Sequence, residues 1–384
     1  MKKMTLRVLP ALTLAAFSGG AAAAGFQLLE QNASGLGNAY AGSAALADNA
    51  STVFFNPAGM ALLEGGQVSV GFAAVRPSYE YRSNAGVTSG GDAGSLGIVP
   101  NAYLTYRLTK DLSAGFGISV PFGLATEYDS GWAGAVRAIK SEIKTINYNP
   151  SLAYRLTDKV ALGFGINYQT IDGELTSAGG RLKGDDASWG WNAGAMFTLS
   201  PAMRIGISYR SSVSHVLEGN MNGVLPVRAD LNLPGTAILS VWQQVSDRWE
   251  AMGDISYTRW NSLQRLDIYN RSTNGLVTSE TFNYENSWRI AWGAAYKATD
   301  YAKIKFGIAY DRTPVEDKYR SPRVPDNNRL WLSVGGQWNA GRAGKVDLGY
   351  SYLYVRDPSI TLAPLNGKYD AAAHILGLQY SVGF

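Results

Sequence analysis

The chain of 384 residues contains no cysteine and only two histidines, His215 and His374. The absence of cysteine excludes a fold held together by disulfides and a thiol nucleophile. Two separated histidines without cysteine do not favour a zinc site, and the sequence has no glycine-rich phosphate-binding motif. We therefore expect no metal, no cofactor and no direct energy source for this protein.

Long apolar runs are also missing. No segment after the N-terminus has about 18 consecutive apolar residues, which excludes transmembrane helices. The N-terminus has a cationic start at residues 1–7, an apolar run at 8–17 and small residues at 19–24. This pattern predicts a signal peptide over residues 1–24, cleaved after Ala23 or Ala24. Its removal takes away three cations and lowers the formal net charge from +4 to +1, so the composition gives no reason to expect nucleic-acid binding.

The remainder of the chain alternates between apolar and small or polar residues with a period of two. In the last segment, Leu376, Leu378 and Tyr380 share one face, and the chain ends on Phe384. Period-two alternation predicts β-strands with one apolar face. Elsewhere charged residues fall on the second face, where lipid contact would cost about 2–4 kcal/mol at the bilayer midplane. The polar face is therefore expected to line a lumen and the apolar face to meet lipid.

Turns between the alternating segments set the predicted strand number. Six short polar turns alternate with seven longer segments near 82–99, 121–143, 174–187, 214–234, 264–283, 312–328 and 356–371. Thirteen connections predict 14 strands, and short turns on one side with long loops on the other are typical of outer-membrane barrels. We predict an all-β fold, a 14-stranded antiparallel transmembrane β-barrel over residues 66–384, in which the last strand pairs with the first.

Residues 25–65 do not alternate and are rich in small side chains. A lumen of 14 strands is too wide for its own side chains to fill. We therefore predict that residues 25–65 form a plug, or hatch, inside the barrel. Inward glycines such as Gly163 and Gly206 would leave room for it, or would relieve strand bending.

Four segments carry a resemblance to a known family: 24–28 (AGFQL), 34–42 (SGLGNAYAG), 56–58 (NPA) and 122–128 (FGLATEY). Together they resemble the FadL family of outer-membrane transporters for long-chain fatty acids and other hydrophobic compounds. The resemblance implies a hatch inside a 14-stranded barrel in the Gram-negative outer membrane. It also implies capture of ligand in a groove among extracellular loops, transfer to a pocket beside the N-terminus, and lateral exit where the third strand kinks. We expect a monomer surrounded by lipid and lipopolysaccharide.

Candidate site residues fall in three regions. The fourth loop has apolar residues that either bind ligand or pack on a neighbouring loop: Val216, Leu217, Met221, Val224 and Leu225. In the hatch, the candidates either line a pocket or simply pack the plug: Phe26, Leu28, Leu29, Asn56 and Pro57. For the lateral exit in the third strand the candidates are Gly115, Phe116 and Gly117.

A fatty acid would also require a partner for its carboxylate. The available cations are Arg181, Lys183, Arg204 and Arg210. These cations could instead pair with acids such as Asp172, Asp254 or Asp347, which leaves an uncharged substrate such as a monoaromatic hydrocarbon or an alkane open.

Two other classes of function are weighed. An outer-membrane lipase would need a serine–histidine pair, and neither histidine lies in a recognisable catalytic motif, so we expect no enzyme. A structural or adhesive barrel would need neither the hatch nor the apolar fourth loop.

Overall fold

The computed structural model describes residues 24–384. The predicted signal peptide, apart from Ala24, lies outside the described residues. One sheet contains twenty strands. They are β1 (Gly66–Ser83), β2 (Gly97–Arg107), β3 (Leu112–Ser119), β4 (Gly123–Glu127), β5 (Lys140–Thr157), β6 (Val160–Ser177), β7 (Gly180–Ser200), β8 (Met203–Arg210), β9 (Val213–Met221), β10 (Leu225–Leu233), β11 (Thr236–Gln244), β12 (Trp249–Thr258), β13 (Arg265–Asn270), β14 (Leu276–Thr281), β15 (Ser287–Lys297), β16 (Ala302–Asp311), β17 (Arg329–Asn339), β18 (Lys345–Val355), β19 (Ser359–Ile360) and β20 (Gly367–Gly383).

Fourteen of these strands close into an antiparallel barrel, which confirms the predicted strand number. Their order is β1, β2, β3, β5, β6, β7, β8, β11, β12, β15, β16, β17, β18 and β20, after which β20 pairs with β1. The seam is regular from Gln67 opposite Gly383 to Ser83 opposite Gly367. Phe384 and Gly66 extend it by exchanging two backbone hydrogen bonds of 2.8 and 2.9 Å. Because the sheet has no free edge at this seam, its backbone groups are satisfied within the wall.

The two faces of the barrel wall follow the predicted alternation. On β20, Leu376, Leu378 and Tyr380 are 42–50% exposed, while the intervening Gln379 is 1% exposed. Charged side chains also lie on the inner face, where Lys305 Nζ and Asp347 Oδ1 form a buried ion pair at 2.8 Å. The apolar residues therefore point outward and the polar residues inward.

Three predicted long loops are hairpins instead. Segment 174–187 continues β6 into β7, segment 214–234 forms β9 and β10, and segment 264–283 forms β13 and β14. These segments connect barrel strands as predicted, but they are paired strands and not open loops, because alternation continues beyond the barrel and the turn residues are confined to the tips. At the β9–β10 tip, residues 222–224 connect the strands, and Asn222 and Gly223 take positive φ angles of 53° and 76°, which asparagine and glycine tolerate in a tight turn. β9 pairs with β7 and β10 pairs with β13, so the hairpins form one sheet over the barrel mouth.

Residues 24–65 lie against the inner wall and are mostly buried. They contain the one-turn helix α1 (Thr52–Phe55) and short 3₁₀ helices at Leu36–Asn38 and Pro57–Leu62. A Cβ built on wall residue Gly206 would lie 1.9 Å from the carbonyl oxygen of Ala44, and one on Gly163 would lie 2.2 Å from the nitrogen of Ala58. At these two positions glycine is needed because the backbone of this segment approaches the wall so closely.

Further 3₁₀ helices occur at Trp260–Ser262, Asp317–Tyr319 and Gly341–Ala343. Among residues 24–384, no helix is both long and apolar enough to cross a membrane.

Candidate functional site: two cavities along the hatch

The first cavity, here called the outer cavity, lies beneath the sheet of hairpins and has about 790 Å³ of empty space, part of it open to solvent. The wall is almost entirely hydrocarbon. Its apolar side chains are Phe26, Leu124, Ile143, Leu175, Leu182, Leu217, Val227, Leu231, Leu263, Leu266, Ile268, Phe282 and Val324. A cavity with this lining favours an apolar chain or ring over water.

Three cations line the same cavity: Lys183, Arg228 and Arg323. Lys183 lies 3.3 Å from Glu174, and Arg228 lies over the ring of Tyr269. Arg323 is 8% exposed and donates to backbone carbonyls and to the hydroxyl of Ser141, but within residues 24–384 it forms no ion pair. Burial lowers the pKa of Arg323, although arginine remains protonated at neutral pH. The outer cavity therefore combines an apolar wall with positive charge and has no carboxylate among its lining residues.

An aromatic cluster closes the outer cavity toward the barrel interior. The ring of Phe26 packs edge-to-face on Trp260, with centroids 4.9 Å apart, and on Phe122 at 6.1 Å. Trp260 is fully buried and also contacts Tyr284. Phe26, near the start of the hatch, is thus the floor of the outer cavity.

The second cavity, here called the hatch cavity, has about 760 Å³ of empty space below this cluster. Its lining is mixed: Ala24, Gln27, Leu28, Leu29, Tyr40, Ser43, Phe54, Phe55, Ser208, Arg210, Thr236, Ile238, Asp254, Ser256, Thr258, Ser287, Trp288, Arg289 and Asp311. Hydroxyl groups satisfy Asp254, which accepts hydrogen bonds from Ser43 at 2.8 Å and Ser240 at 2.7 Å. Apolar hatch residues and charged wall residues therefore face each other across this space.

The third strand of the barrel is interrupted beside the hatch. β3 ends at Ser119 and β4 begins at Gly123, while β2 pairs with β3 only from Ala102 to Arg107. The hatch supplies the missing partner. Val120 exchanges two hydrogen bonds, of 2.7 and 3.1 Å, with the carboxamide of Gln31, and Leu28 N donates to Pro121 O at 2.8 Å. Between β2 and residues 120–122, the described part of the wall has no continuous ladder of backbone hydrogen bonds.

Comparison with known proteins now decides the family. Residues 14–384 match the family model described as outer membrane protein transport protein (OMPP1/FadL/TodX). The chain belongs to the FadL family. It is 32% identical to the 47 kDa outer membrane protein of Pasteurella multocida, with 98% of each chain covered. It is 28% identical to the long-chain fatty acid transport protein of Salmonella typhi, with 97% of each covered.

Solved structures agree on the fold. The crystal structure of a FadL homologue from Pseudomonas aeruginosa superimposes with a TM-score of 0.86 at 24% identity, covering 94% of this chain and 100% of that one. The closed barrel and the family membership place this FadL-family protein in the outer membrane.

Of the five fourth-loop candidates in this FadL-family chain, only Leu217 lines the outer cavity. Val216 faces outward, Val224 is 83% exposed at the hairpin tip, and Met221 and Leu225 pair with each other beside that tip. Most of the other residues that line the outer cavity lie outside the predicted fourth loop. Several of them, such as Phe282, are apolar residues of other predicted loops, and this was a sequence signal that could have identified them.

The hatch candidates divide between the two cavities. Phe26 lines the outer cavity, and Leu28 and Leu29 line the hatch cavity. Asn56 and Pro57 line neither cavity. Asn56 instead caps the 3₁₀ helix that starts at Pro57, accepting from Ala58 N at 3.1 Å and donating to Ala44 O at 2.7 Å. Asn56 and Pro57 therefore hold the hatch together.

The four candidate cations also lie at different places in the structure. Arg181 pairs with Glu174 at 2.7 Å on the exposed hairpin, and this contact is the main reason that the pKa of Glu174 is lowered to about 2. Arg204 stacks on Trp242 with 4.1 Å to the ring centroid, and it lines neither cavity. Arg210 lines the hatch cavity, where it stacks on Phe54 and donates to its carbonyl at 3.0 Å. Lys183 and Arg210 are thus the two candidates that reach a cavity.

The strand break does not coincide with the predicted exit residues. Gly115, Phe116 and Gly117 pair regularly with β2 on one side and β5 on the other. The interruption comes later, at Val120–Pro121–Phe122. Pro121 has no N–H to donate to a ladder, and this was the sequence signal for the break.

The two histidines have partners of their own. His215 contacts Asp186 at 2.9 Å and Gln169 at 3.1 Å, and His374 contacts the hydroxyl of Tyr350 at 2.7 Å. Within residues 24–384, neither forms a hydrogen bond with a serine, and no group of three or more acidic or histidine side chains is arranged to hold a metal ion.

Proposed function

We propose that this protein carries long-chain fatty acids or closely similar amphipathic compounds passively across the outer membrane. The ligand enters the outer cavity, passes to the hatch cavity beside the N-terminal segment, and leaves sideways through the barrel wall at the strand break. The observation that carries this proposal is the apolar outer cavity among the hairpins, closed below by Phe26 of the hatch. The name of the Salmonella typhi relative, a long-chain fatty acid transport protein, supports the same substrate class.

Capture follows from the wall of the outer cavity. An apolar chain gains about 0.8 kcal/mol for each CH₂ group removed from water. A water-filled pore would give no such gain, whereas a cavity lined by side chains such as Leu217, Leu231 and Phe282 does. The cavity therefore concentrates hydrophobic molecules at the outer end of the barrel.

Transfer follows from the short stretch of hatch between the cavities. Phe26 faces the outer cavity, and Leu28, two residues later, lines the hatch cavity. Movement of this one stretch joins the two spaces. The same stretch pairs with the interrupted third strand through Leu28 and Gln31, so its movement also frees the wall at the break.

The positive charge of the outer cavity favours an acid over a hydrocarbon. Lys183, Arg228 and Arg323 line a space that has no carboxylate among its lining residues. A bound carboxylate would lie in a favourable field, and guanidinium groups pair well with carboxylates. An alkane would gain nothing from these charges, and a monoaromatic hydrocarbon would gain only a cation–π contact.

The test is to extract the protein in a mild detergent and identify co-purified compounds by mass spectrometry, alongside uptake assays in cells with and without the gene. Recovery of fatty acids, with loss of their uptake on deletion, is the expected result. Recovery of neutral hydrocarbons would overturn the substrate class. A protein that carries no ligand, and whose deletion changes uptake of neither class, would overturn the transport proposal itself.

A further inference from the structure

Buried polar atoms without a hydrogen-bond partner are concentrated on one patch of the barrel wall, formed by β2, β3 and β5. Among residues 24–384, sixteen buried side-chain polar atoms have no partner, and seven of them belong to this patch. They lie on six residues, each at most 5% exposed: Asn101, Thr105, Ser119, Asn147, Asn149 and Ser151. Leaving a buried polar atom unpartnered is costly, so this concentration on three of the fourteen barrel strands calls for a physical reason.

The patch ends at the strand break. The ladder between β2 and β3 stops at the pair of Ala102 and Ile118. Asn101 and Ser119 are the next residues of the two strands, and Ser119 is the Cα partner of Asn147 on β5. These three residues, here called the polar row, therefore lie at the edge of the missing part of the wall.

The hatch covers the patch with apolar side chains. A Cβ built on Gly115 would lie 2.4 Å from Sδ of Met60, and one built on Gly117 would lie 3.3 Å from Cγ1 of Val53. The amides and hydroxyls of the patch thus face hydrocarbon while the hatch is in place. Movement of the hatch away from β3 exposes these groups to a molecule that passes through the break.

Gln31 of the hatch shows which chemistry fits at the break. Val120 N donates to its Oε1 at 3.1 Å, and its Nε2 donates to Val120 O at 2.7 Å. Tyr103, two residues from Asn101 on β2, donates to its backbone oxygen at 2.7 Å. A carboxamide is uncharged and carries a donor beside an acceptor. Asn101 offers the same two groups, and neither has a partner within residues 24–384.

We propose that the polar row and Val120 bind the uncharged head group of an amphiphile while its apolar chain leaves through the strand break. This inference rests on the proposed function. The head group takes the place of the Gln31 carboxamide when the hatch moves. A protonated carboxyl group or a hydroxyl both donates and accepts a hydrogen bond, as that carboxamide does. A carboxylate can only accept, so the carbonyl oxygens of Val120 and Asn101 would repel it.

The uncharged form also suits release into lipid, because burial in hydrocarbon costs far more for a charged group than for a neutral one. A fatty acid that enters as a carboxylate therefore gains one proton from a hydronium ion of the solvent, which becomes water, before it leaves. A long-chain alcohol needs no such step. The cations of the outer cavity and the uncharged polar row thus act on the same head group at different stages of its passage.

The first test is Asn101→Leu, which keeps the size of the side chain and removes both hydrogen-bonding groups. Uptake of palmitic acid and of hexadecanol should become about tenfold slower, the effect of losing one or two hydrogen bonds. The measurement uses labelled compounds and cells with equal amounts of each variant, after subtraction of uptake by cells without the gene. The affinity of the purified protein for palmitic acid should stay within about twofold of the wild-type value, because capture occurs in the distant outer cavity.

Thr105→Val is the matched control. Thr105 is also buried on β2 and has an unpartnered hydroxyl within residues 24–384, but it lies farther from the break. Its uptake rates should stay within about twofold of the wild-type rates. Equal rates in Asn101→Leu and Thr105→Val would overturn the head-group site. If Asn101→Leu does not assemble, Ser119→Ala takes its place in the same comparison, with about a threefold loss expected for one hydroxyl.

Hexadecanesulfonate tests the charge of the head group, because it stays an anion in the pH range in which cells grow. It should compete with palmitic acid for binding to the purified protein, but cells should not take it up. Uptake as fast as that of palmitic acid would overturn an uncharged head group at the break. Wild-type cells that take up neither palmitic acid nor hexadecanol faster than cells without the gene would contradict the proposed function, and this inference with it.

Discussion

The outer cavity and the hatch cavity have similar amounts of empty space, about 790 and 760 Å³ with adjoining solvent included, but their walls differ in chemistry. The outer wall is hydrocarbon with three cations, and it comes mainly from hairpins beyond the barrel. The hatch cavity mixes the apolar side chains of the hatch with hydroxyls, Asp254, Asp311, Arg210 and Arg289 of the barrel strands.

The difference shows that the space for an apolar ligand and the polar groups that select among ligands come from different parts of this molecule. Hairpins outside the lipid can bury apolar side chains against one another, as Leu231 and Phe282 do in one cluster. Barrel strands do this less, because many of their apolar residues face lipid and many of their inward residues are polar. In the hatch cavity the strands supply Ile238 and Trp288, and the hatch adds Leu28, Leu29 and Phe54.

The largest effect is expected from removing the element that separates the two cavities. Deletion of residues 25–55 should join them into one open lumen, since a 14-stranded barrel is too wide to fill itself. Single-channel conductance in a planar bilayer should rise by roughly an order of magnitude toward that of a water-filled barrel. Unchanged conductance would show that this segment does not block the lumen.

A charge placed in the outer cavity alone should weaken ligand capture. Leu231→Asp puts a carboxylate at a position that is 4% exposed among apolar neighbours, so fatty-acid binding should fall by about a hundredfold, equivalent to ~3 kcal/mol. Val224→Asp, at the exposed tip of the same hairpin, should leave the dissociation constant nearly unchanged. Ligand titration measures both affinities. Similar losses of fatty-acid affinity in the two variants would contradict the assignment of the outer cavity as the capture site.

The stability of the hatch should depend on pH through Glu30. This carboxyl group is completely buried, and burial raises its pKa to about 7. Because the folded-state pKa exceeds the unfolded value of 4.5, the contribution of Glu30 is fully present below pH 4.5 and is lost as the pH rises through 7.

Glu30→Gln should therefore stabilise the hatch above pH 7 by about 3 kcal/mol, and by little near pH 4. Hydrogen exchange of the hatch amides measures this difference. Glu64→Gln, at an exposed site of the same N-terminal segment, is the control. A wild-type hatch whose exchange stability does not change between pH 4 and 8 would contradict the prediction.

The smallest effect concerns the charge that distinguishes the outer cavity from a purely apolar one. Lys183→Met should weaken fatty-acid binding only two- to fivefold, about 0.5–1 kcal/mol, because the side chain is half exposed and its charge is screened. Binding of a neutral alkane should not change. Arg181→Met removes a cation that shares Glu174 but lies outside the cavity, and it should leave both affinities unaltered.

Several parts of this architecture were predictable from the sequence. The strand count followed from polar turns, and the pairing of the last strand with the first followed from that count; Val68, Val70 and Phe72 lie opposite Val382, Tyr380 and Leu378. Leu28 could be identified as a hatch residue because its segment does not alternate. Pro121 was the sequence signal for the strand break, although the lateral exit was predicted at Gly115 and Gly117.

Other features could not be predicted, because they depend on contacts between distant segments. Leu217 and Val224 are both apolar residues of one hairpin, yet one lines a cavity and the other is exposed. The alternation pattern is the same for both, and only the packing of three hairpins decides between them. The role of Arg323 depends likewise on a loop that folds back onto the carbonyls of β5 and its neighbours.

By itself the sequence determined that this protein is a 14-stranded barrel with an apolar outer face and a polar inner face. That information is local, because a period of two and the residues of tight turns act within a few positions of one another. The tertiary structure alone decided where the cavities lie, which apolar residues line them, and that Ala24 reaches Asp311, 287 residues away along the sequence. Such contacts arise only when the barrel closes and brings the hatch against its wall.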